Sequence, residues 1–386
     1  MTRRRGTDRR DRAARVAGLL CALLGAAVPA GRGDVVQTRS ERIAGKVTFR
    51  DGALAVGNRA VAFEDVLFAV IDRKGGTFRQ PNTVRTTTGE VWHCGIVSLA
   101  AGKLTVRSPL LGTKQVPKSR VRAMEFQAHL PDEARLAENV LYRRAGEPLP
   151  GSILWISPTQ VAVDSPLGAM AMDRDGLTRL ILSKDARLAA PEGETQVVLA
   201  DGTVLAGAAT VAPGKLAMSH EVLGELSLPA GAVRSILRHP AGVAYLAELP
   251  LQAISAPLFG SASAGTVRTV DRHPSGRTRA PGGFIRSLTI QPNTTVTFRL
   301  PARLGADKIF RASVAAAPGA KGGVRLRVLA GGRAVLEKVL APAAASEPIS
   351  VALGRADTVA IEVAFADEAV RFPCGAVLGD AHVVGK

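Results

Sequence analysis

A glycine-anchored pattern recurs four times between residues 45 and 237, and it constrains the fold more than any other feature of the chain. One clear copy reads Gly95-Ile96-Val97, Gly102-Lys103-Leu104-Thr105-Val106, Leu111-Gly112, Val116-Pro117 and Val121. Another reads Gly207-Ala208-Ala209-Thr210-Val211, Gly214-Lys215-Leu216-Ala217-Met218, Leu223-Gly224, Leu228-Pro229 and Val233. The anchoring glycines Gly45, Gly95, Gly151 and Gly207 lie 50, 56 and 56 positions apart, and an upstream turn glycine recurs as Gly89, Gly146 and Gly202. Self-similarity at a nearly fixed period means one small unit duplicated.

The unit itself reads as short strands. In the last copy Gln196–Leu199 is β-prone, Asp201-Gly202 is a turn signal, and Thr203–Val211 is a long strand interrupted by Gly207. A glycine inside a strand marks a bulge or a sharp bend. Pro213-Gly214 turns the chain into Lys215–His220, then Gly224–Leu228 and Val233–Leu237 follow. Five bent strands in some 40 residues predict a small closed barrel or roll. Each unit resembles the SH3-like or Sm-like small barrels, through the Leu199-Ala200-Asp201-Gly202 turn, Gly207, the Gly214-Lys215-Leu216 hairpin and the closing Val233-Arg234-Ser235-Ile236 strand. Such barrels host many roles, so the resemblance implies a fold and no activity. The pattern places copies one and two at 36–130 and copies three and four at 146–245. Between them, Pro131–Leu141 predicts a short helix in a connector over 131–145, with acidic residues at its start and Leu136, Val140 and Leu141 as an apolar stripe. Gly75-Gly76 and Lys184–Glu194 read as linkers.

Beyond residue 250 the period stops. Strands are expected at Phe284–Ile290, Thr294–Leu300, Ile309–Ala315, Val324–Leu329, Ala334–Val339, Ile349–Val351, Val359–Phe365 and Ala376–Val384. Eight short strands separated by Gly/Pro turns predict a β-sandwich of jelly-roll type over 250–386. The fold class is therefore all-β, with tandem small barrel or roll repeats followed by a C-terminal sandwich. The run Gly283–Ile290, Thr295–Leu300, Phe310–Val314, Gly323–Val328 before Gly331-Gly332-Arg333, Leu353–Val363 and Gly379-Asp380-Ala381 resembles the NPCBM-type domain. That family is a carbohydrate-binding module with a galactose-binding-like jelly roll, so the resemblance implies a glycan partner. The sequence departs from the family at Ser287 and Gln291, where a Gly-x-His element stands, and at Val377–Asp380. The region contains no Trp or Tyr. A ligand site in this module is expected to draw on the loop residues Asp271, Arg272, His273, Arg277 and Arg279.

The first thirty residues read as an export signal. Seven arginines precede the apolar run Val16–Ala27, and Val28-Pro29-Ala30 is a small-residue cleavage site. The run is too short for a comfortable membrane span of about 20 residues. Residues 1–30 hold seven Arg and two Asp, so their removal lowers the formal net charge from +17 to +12. The remaining positive charges are mostly scattered arginines without interleaved aromatics, which argues against a nucleic-acid partner.

Chemistry-bearing patterns are sparse. His93 and Cys94 are strand neighbours pointing to opposite faces, so they do not form a dyad. The six histidines show no zinc-ligand spacing, Asp173-Arg174-Asp175-Gly176 reads as a turn rather than a calcium loop, and no cofactor motif is present. Cys94 and Cys374 could pair in an exported chain, and spacing alone does not decide it. Three readings follow. The chain is an exported non-enzymatic binding protein whose partner is a glycan or a cell-envelope protein; it is an accessory or degenerate enzyme of polysaccharide processing; or it is a purely structural envelope component.

Overall fold

A computed structural model describes residues 34–71, 80–126, 138–183, 192–255, 270–273, 284, 286–367 and 374–385. The export signal, the Gly75-Gly76 and 184–191 linker segments, and residues 131–137 of the expected helix lie outside them. Every described element is a β-strand or a single 3-10 turn.

The four copies share one plan. The first comprises β1 (Val35–Thr38), β2 (Arg42–Ala44), β3 (Val47–Arg50), β4 (Ala53–Val56), β5 (Arg59–Ala62) and β6 (Val66–Val70). The second comprises β7 (Asn82–Thr86), β8 (Val91–Ala100), β9 (Lys103–Ser108), β10 (Gly112–Pro117) and β11 (Val121–Glu125). The third runs β12 (Val140–Arg143), β13 (Leu149–Pro150), β14 (Ser152–Ile156), β15 (Gln160–Ser165), β16 (Gly168–Asp173) and β17 (Leu177–Ile181). The fourth runs β18 (Thr195–Leu199), β19 (Val204–Ala212), β20 (Lys215–His220), β21 (Gly224–Pro229) and β22 (Val233–Arg238). In each copy a 3-10 turn (Phe63–Asp65, Lys118–Arg120, Arg174–Gly176 or Ala230–Ala232) feeds the last strand. That strand returns to pair with the first strand of its own copy.

The long second strand is where the repeat glycine acts. It is continuous in copies two and four (β8, β19) and broken in copies one and three (β2/β3, β13/β14). A Cβ on Gly151 would sit 2.6 Å from the carbonyl oxygen of Asp164, and one on Gly207 would meet the Ser219 carbonyl more closely still. Those contacts are below any tolerated separation, so the bends of copies three and four admit only glycine. The register corrects the alignment read from sequence. Thr195 pairs with Gly207, and Asn82, at the matching position of copy two, pairs with Cys94 rather than Gly95. The bend residues are thus Gly45, Cys94, Gly151 and Gly207; a Cβ on Gly95 would make only an ordinary 3.6 Å contact.

The expected helix is also corrected. Val140 and Leu141 lie in β12, paired with Ile181 and Leu180, and Asn139 has a left-handed φ of 49°. The pair serves as the first strand of copy three, because β17 offers a partner that an isolated short helix would lack.

The copies are not strung as separate beads. The last strands of copies one and four pair (Ala69 opposite Ile236), as do those of copies two and three (Met124 opposite Leu180). Strand β8 touches β19 at Val91–Val204 and β14 at Leu99–Ile156. The contact order is therefore one, four, two, three. One apolar core runs through all four, from Val36 to Ile236, with Trp92, Leu104, Leu141 and Leu216 inside it.

The sandwich follows β23 (Val243–Tyr245), β24 (Leu251–Ser255) and β25 (Val270–His273), then β26 (Ser287–Ile290), β27 (Thr294–Arg299), β28 (Lys308–Ala316), β29 (Val324–Ala330), β30 (Arg333–Leu340), β31 (Glu347–Gly354), β32 (Thr358–Phe365) and β33 (Ala376–Gly385). All eight strands expected there are present. One sheet has the order β25-β26-β33-β28-β31, with β23 lying beyond β26 along the same edge of β33; the other has the order β24-β27-β32-β29-β30. Strand β29 shows why: Val324, Leu326 and Val328 are buried while Arg325 and Arg327 face outward, the period-two pattern of a half-buried strand. Strand β33 is buried almost throughout. Its Leu378 and Val383 face the sandwich core, whereas Val384 packs with Leu67, Phe68 and Leu237 of the repeats and with Val243 and Tyr245 of β23.

Candidate functional site

Three of the five residues expected to form the site fall among the described residues. Asp271, Arg272 and His273 lie in β25, the edge strand of its sheet, with His273 opposite Ser287 and Asp271 opposite Thr289. They are strand residues rather than part of a loop, because β26 offers a free edge to pair with. Arg277 and Arg279 lie outside the described residues.

One residue before Ser287 stands a closed polar node that sequence reasoning missed. Arg286 is buried and ion-paired with Glu248, and its guanidinium donates to Gln196 Oε1 at 3.1 Å and lies 5.1 Å from the centre of the Tyr245 ring. Burial pushes this guanidinium downward, and Glu248 opposes the shift. Glu248 also accepts from His239 Nε2 at 3.0 Å. The Tyr245 hydroxyl reaches the backbone carbonyls of Arg238 at 2.9 Å and Leu67 at 3.2 Å, and burial raises its pKa. Asp380 takes a left-handed φ of 49° where the β28–β33 register slips. Its Oδ1 accepts from the Arg286 amide at 3.0 Å, while its own amide donates to the Arg286 carbonyl at 2.8 Å. A bulge of this kind re-aims the side chains beside it. His382, two residues on, donates from Nδ1 to the Asp380 carbonyl at 2.7 Å and leaves Nε2 buried without a partner. Burial pushes this imidazole down to about 4, with the Arg311 charge acting in the same direction. Further ties reinforce the joint: Arg42 to Ser313 at 3.1 Å and Arg303 to Glu192 at 2.8 Å.

A second carboxylate–histidine pair joins copies two and four. His220 Nδ1 accepts from the amides of Val222 and Leu223, so Nε2 carries the proton and donates to Glu90 Oε1 at 2.8 Å. Glu90 accepts as well from the Ala206 amide and the Thr88 hydroxyl. Both members are sealed from solvent, under the edge of Trp92. His93 faces elsewhere, and Cys94 and Cys374 are free, buried thiols, with Cys94 pushed up to about 12 by burial. Among the described residues no group of three or more His, Cys, Asp or Glu side chains could hold a metal ion. No helix among them is long and apolar enough to cross a membrane.

Among the described residues, the outer face of the five-stranded sheet carries a polar row. Register places Ser255, Thr295, Glu362, Arg327 and Glu337 in one row across five adjacent strands. Arg327 is held by Glu337 at 2.8 Å and Glu362 at 3.3 Å, so its remaining donors and the carboxylate lone pairs project from a fixed position. Thr297 and Ala360 form the next row. The alternation in Val324–Val328 revealed the outward arginines; the row itself depends on register, which sequence does not supply.

No family model matches the chain, and no curated protein matches it. Solved structures share limited similarity. A family 51 carbohydrate-binding module of Clostridium perfringens, solved with methyl-galactose, is 14% identical; the alignment covers 37% of this chain and 99% of that one, with a TM-score of 0.30. A tandem pair of such modules from a family 98 glycoside hydrolase of Streptococcus pneumoniae is 11% identical over 88% of each chain, with a TM-score of 0.31. A protein from a xyloglucan utilisation locus of Bacteroides uniformis is 10% identical, covering 83% of this chain and 94% of that one, with a TM-score of 0.26.

Proposed function

We propose that this is an exported, non-enzymatic binding protein in which the four repeats, residues 36–245, hold a carbohydrate-binding jelly roll, residues 250–386, in a fixed pose. The observation that carries the reading is the asymmetry of the sandwich. Strand β33 of one sheet is covered on its outer side by the repeats, while the other sheet leaves its face open with a row of hydroxyl, carboxylate and guanidinium groups. Such a row suits a hydroxyl-rich ligand, because carboxylate and guanidinium groups make charge-assisted hydrogen bonds to sugar hydroxyls. The NPCBM-like strand order supports the same ligand class. A non-catalytic role is supported by the two carboxylate–histidine pairs: Glu90–His220 is sealed from solvent, and Glu248–His239 is largely buried with Glu248 committed to Arg286. The arginine-rich start and apolar run of residues 1–30 support export.

The test is a glycan array probed with the full chain and with Arg327→Ala. The proposal expects at least one class of neutral glycan that the wild type binds and the variant does not, while the unfolding midpoint holds. No binding by the wild type, or equal binding by both proteins, overturns it.

A further inference from the structure

The repeats carry an exposed aromatic platform of their own. The chain has two tryptophans; Trp92 is fully buried, whereas Trp155 is 38% exposed. Trp155 lies in β14 directly opposite Ala162, which is itself opposite Ala171 in β16. Along the same face Ser152 stands opposite Asp164 and Asp164 opposite Ala169, while at the other end Gln160 stands opposite Asp173. The indole is therefore flanked across the sheet by methyl groups too small to shade it. Polar side chains stand two residues away along the strand in each direction, about 7 Å at the ordinary rise of a strand. Among the described residues neither Asp164 nor Asp173 forms an ion pair.

The duplication shows that the fold does not ask for this ring. Hairpin register equates Trp155 with Thr48, Ser98 and Thr210 in the other copies, each opposite the residue that matches Ala162. Three copies thus place a small hydroxyl side chain at this outward position and one places an indole. The flanks change with it. Gln160 and Asp164 occupy the positions held by Lys103 and Arg107 in copy two and by Lys215 and Ser219 in copy four. In a chain of net charge +17, this one face has turned apolar at its centre and acidic at its rim.

We propose that the β14-β15-β16 face of copy three is a second ligand site, binding a neutral glycan by stacking a sugar ring on Trp155. A pyranose presents a flat C–H face to an aromatic plane and a rim of hydroxyl donors, which the Asp164 and Asp173 carboxylates accept. Among the described residues this face holds one exposed aromatic ring rather than several, which fits a single sugar ring within a chain better than an enclosed cation. The site is independent of the jelly-roll row, since copy three touches only copy two among the strand pairings.

The test uses the full chain, soluble neutral polysaccharides (β-glucan, xylan, mannan and galactan) and intrinsic fluorescence, which Trp155 dominates in any solvent-sensitive change. At least one polysaccharide is expected to shift the emission. Trp155→Thr, the residue copies one and four already carry, is expected to bind that polysaccharide at least about tenfold more weakly in affinity electrophoresis, which needs no tryptophan, with an unchanged unfolding midpoint. Asp164→Asn is expected to weaken it severalfold. Arg327→Ala leaves this signal intact, so failure at the jelly roll and failure here are read separately. An emission that no polysaccharide moves, or equal binding by Trp155→Thr, overturns the proposal. So does loss of a protein partner rather than a polysaccharide in that variant.

Discussion

Acidification should loosen the joint between repeats and sandwich through His382. The imidazole is buried, donates Nδ1–H to the Asp380 carbonyl, and has no acceptor within reach of Nε2. A second proton would place a charge beside the Tyr245 ring and near Arg311, with nothing to receive its hydrogen. Its folded pKa of about 4 lies below the ordinary 6.5, so in that window the unfolded chain binds the proton and the folded chain does not. Stability from this residue is complete above pH 6.5 and is lost as pH falls toward about 4. The gap corresponds to about 3 kcal/mol, since each pKa unit is about 1.4 kcal/mol and the group is fully desolvated. The measurement is urea unfolding of wild type and His382→Asn from about pH 7.5 to about 4. Carboxylates titrate equally in both proteins, so the difference between the two curves isolates His382. Relative to the variant, the wild type should lose about 3 kcal/mol as pH falls across the window; a difference constant to within about 1 kcal/mol refutes the reasoning.

Three further outcomes test the joints and the bend. Gly207→Ala drives a methyl group into the Ser219 carbonyl and should cost about 2 kcal/mol or more, whereas Gly95→Ala should stay within about 1 kcal/mol of wild type; chemical denaturation ranks them, and equal costs would remove the steric account of the repeat glycine. Glu248→Ala leaves the Arg286 charge buried without its ion-pair partner and should cost about 3–5 kcal/mol, much of it recovered in the double variant Glu248→Ala/Arg286→Met; a double variant no better than the single one argues against an electrostatic penalty. His220→Ala removes a hydrogen bond to Glu90 and the acceptor for two amides, and a loss of about 2–3 kcal/mol in thermal or urea unfolding is expected.

The repeat and the eight sandwich strands were legible because period-two burial and turn glycines are written locally, as in Val324–Val328 and at Gly214. What escaped was long-range. Cys94 occupies the bend that Gly95 was expected to hold, and only the pairing of Asn82 with Cys94 reveals the one-residue offset. The unpaired residues Val97 and Leu154 shift the frame within β8 and β14, so Trp155 lines up with Thr48, Ser98 and Thr210 only after register is known. Val140-Leu141 looked helical because its strand partner lies forty residues downstream, at Leu180-Ile181. Arg286 and Glu248 are 38 residues apart in unremarkable surroundings, and nothing local marks them as partners.

The order in which the copies touch gives the duplication a consequence that a simple chain of barrels would lack. Copies one and four carry the joint to the sandwich, through Arg42, Phe68, Gln196 and His239. Copy two is joined to copy four by the Glu90–His220 pair and by Lys114 donating to the Leu223 carbonyl at 3.0 Å, and copy three follows copy two through β11–β17. Every link in that series is a sheet pairing or a buried polar contact rather than a flexible linker. The Trp155 face and the Arg327 row therefore sit on units separated by fixed steps. Two weak sites on a rigid spacer engage one polymer together only if the polymer spans their separation, and then their affinities compound. A duplicated scaffold accomplishes this with little new sequence: copies one, two and four keep the small outward residue, and copy three changes one side chain and its flanks without disturbing the core it shares.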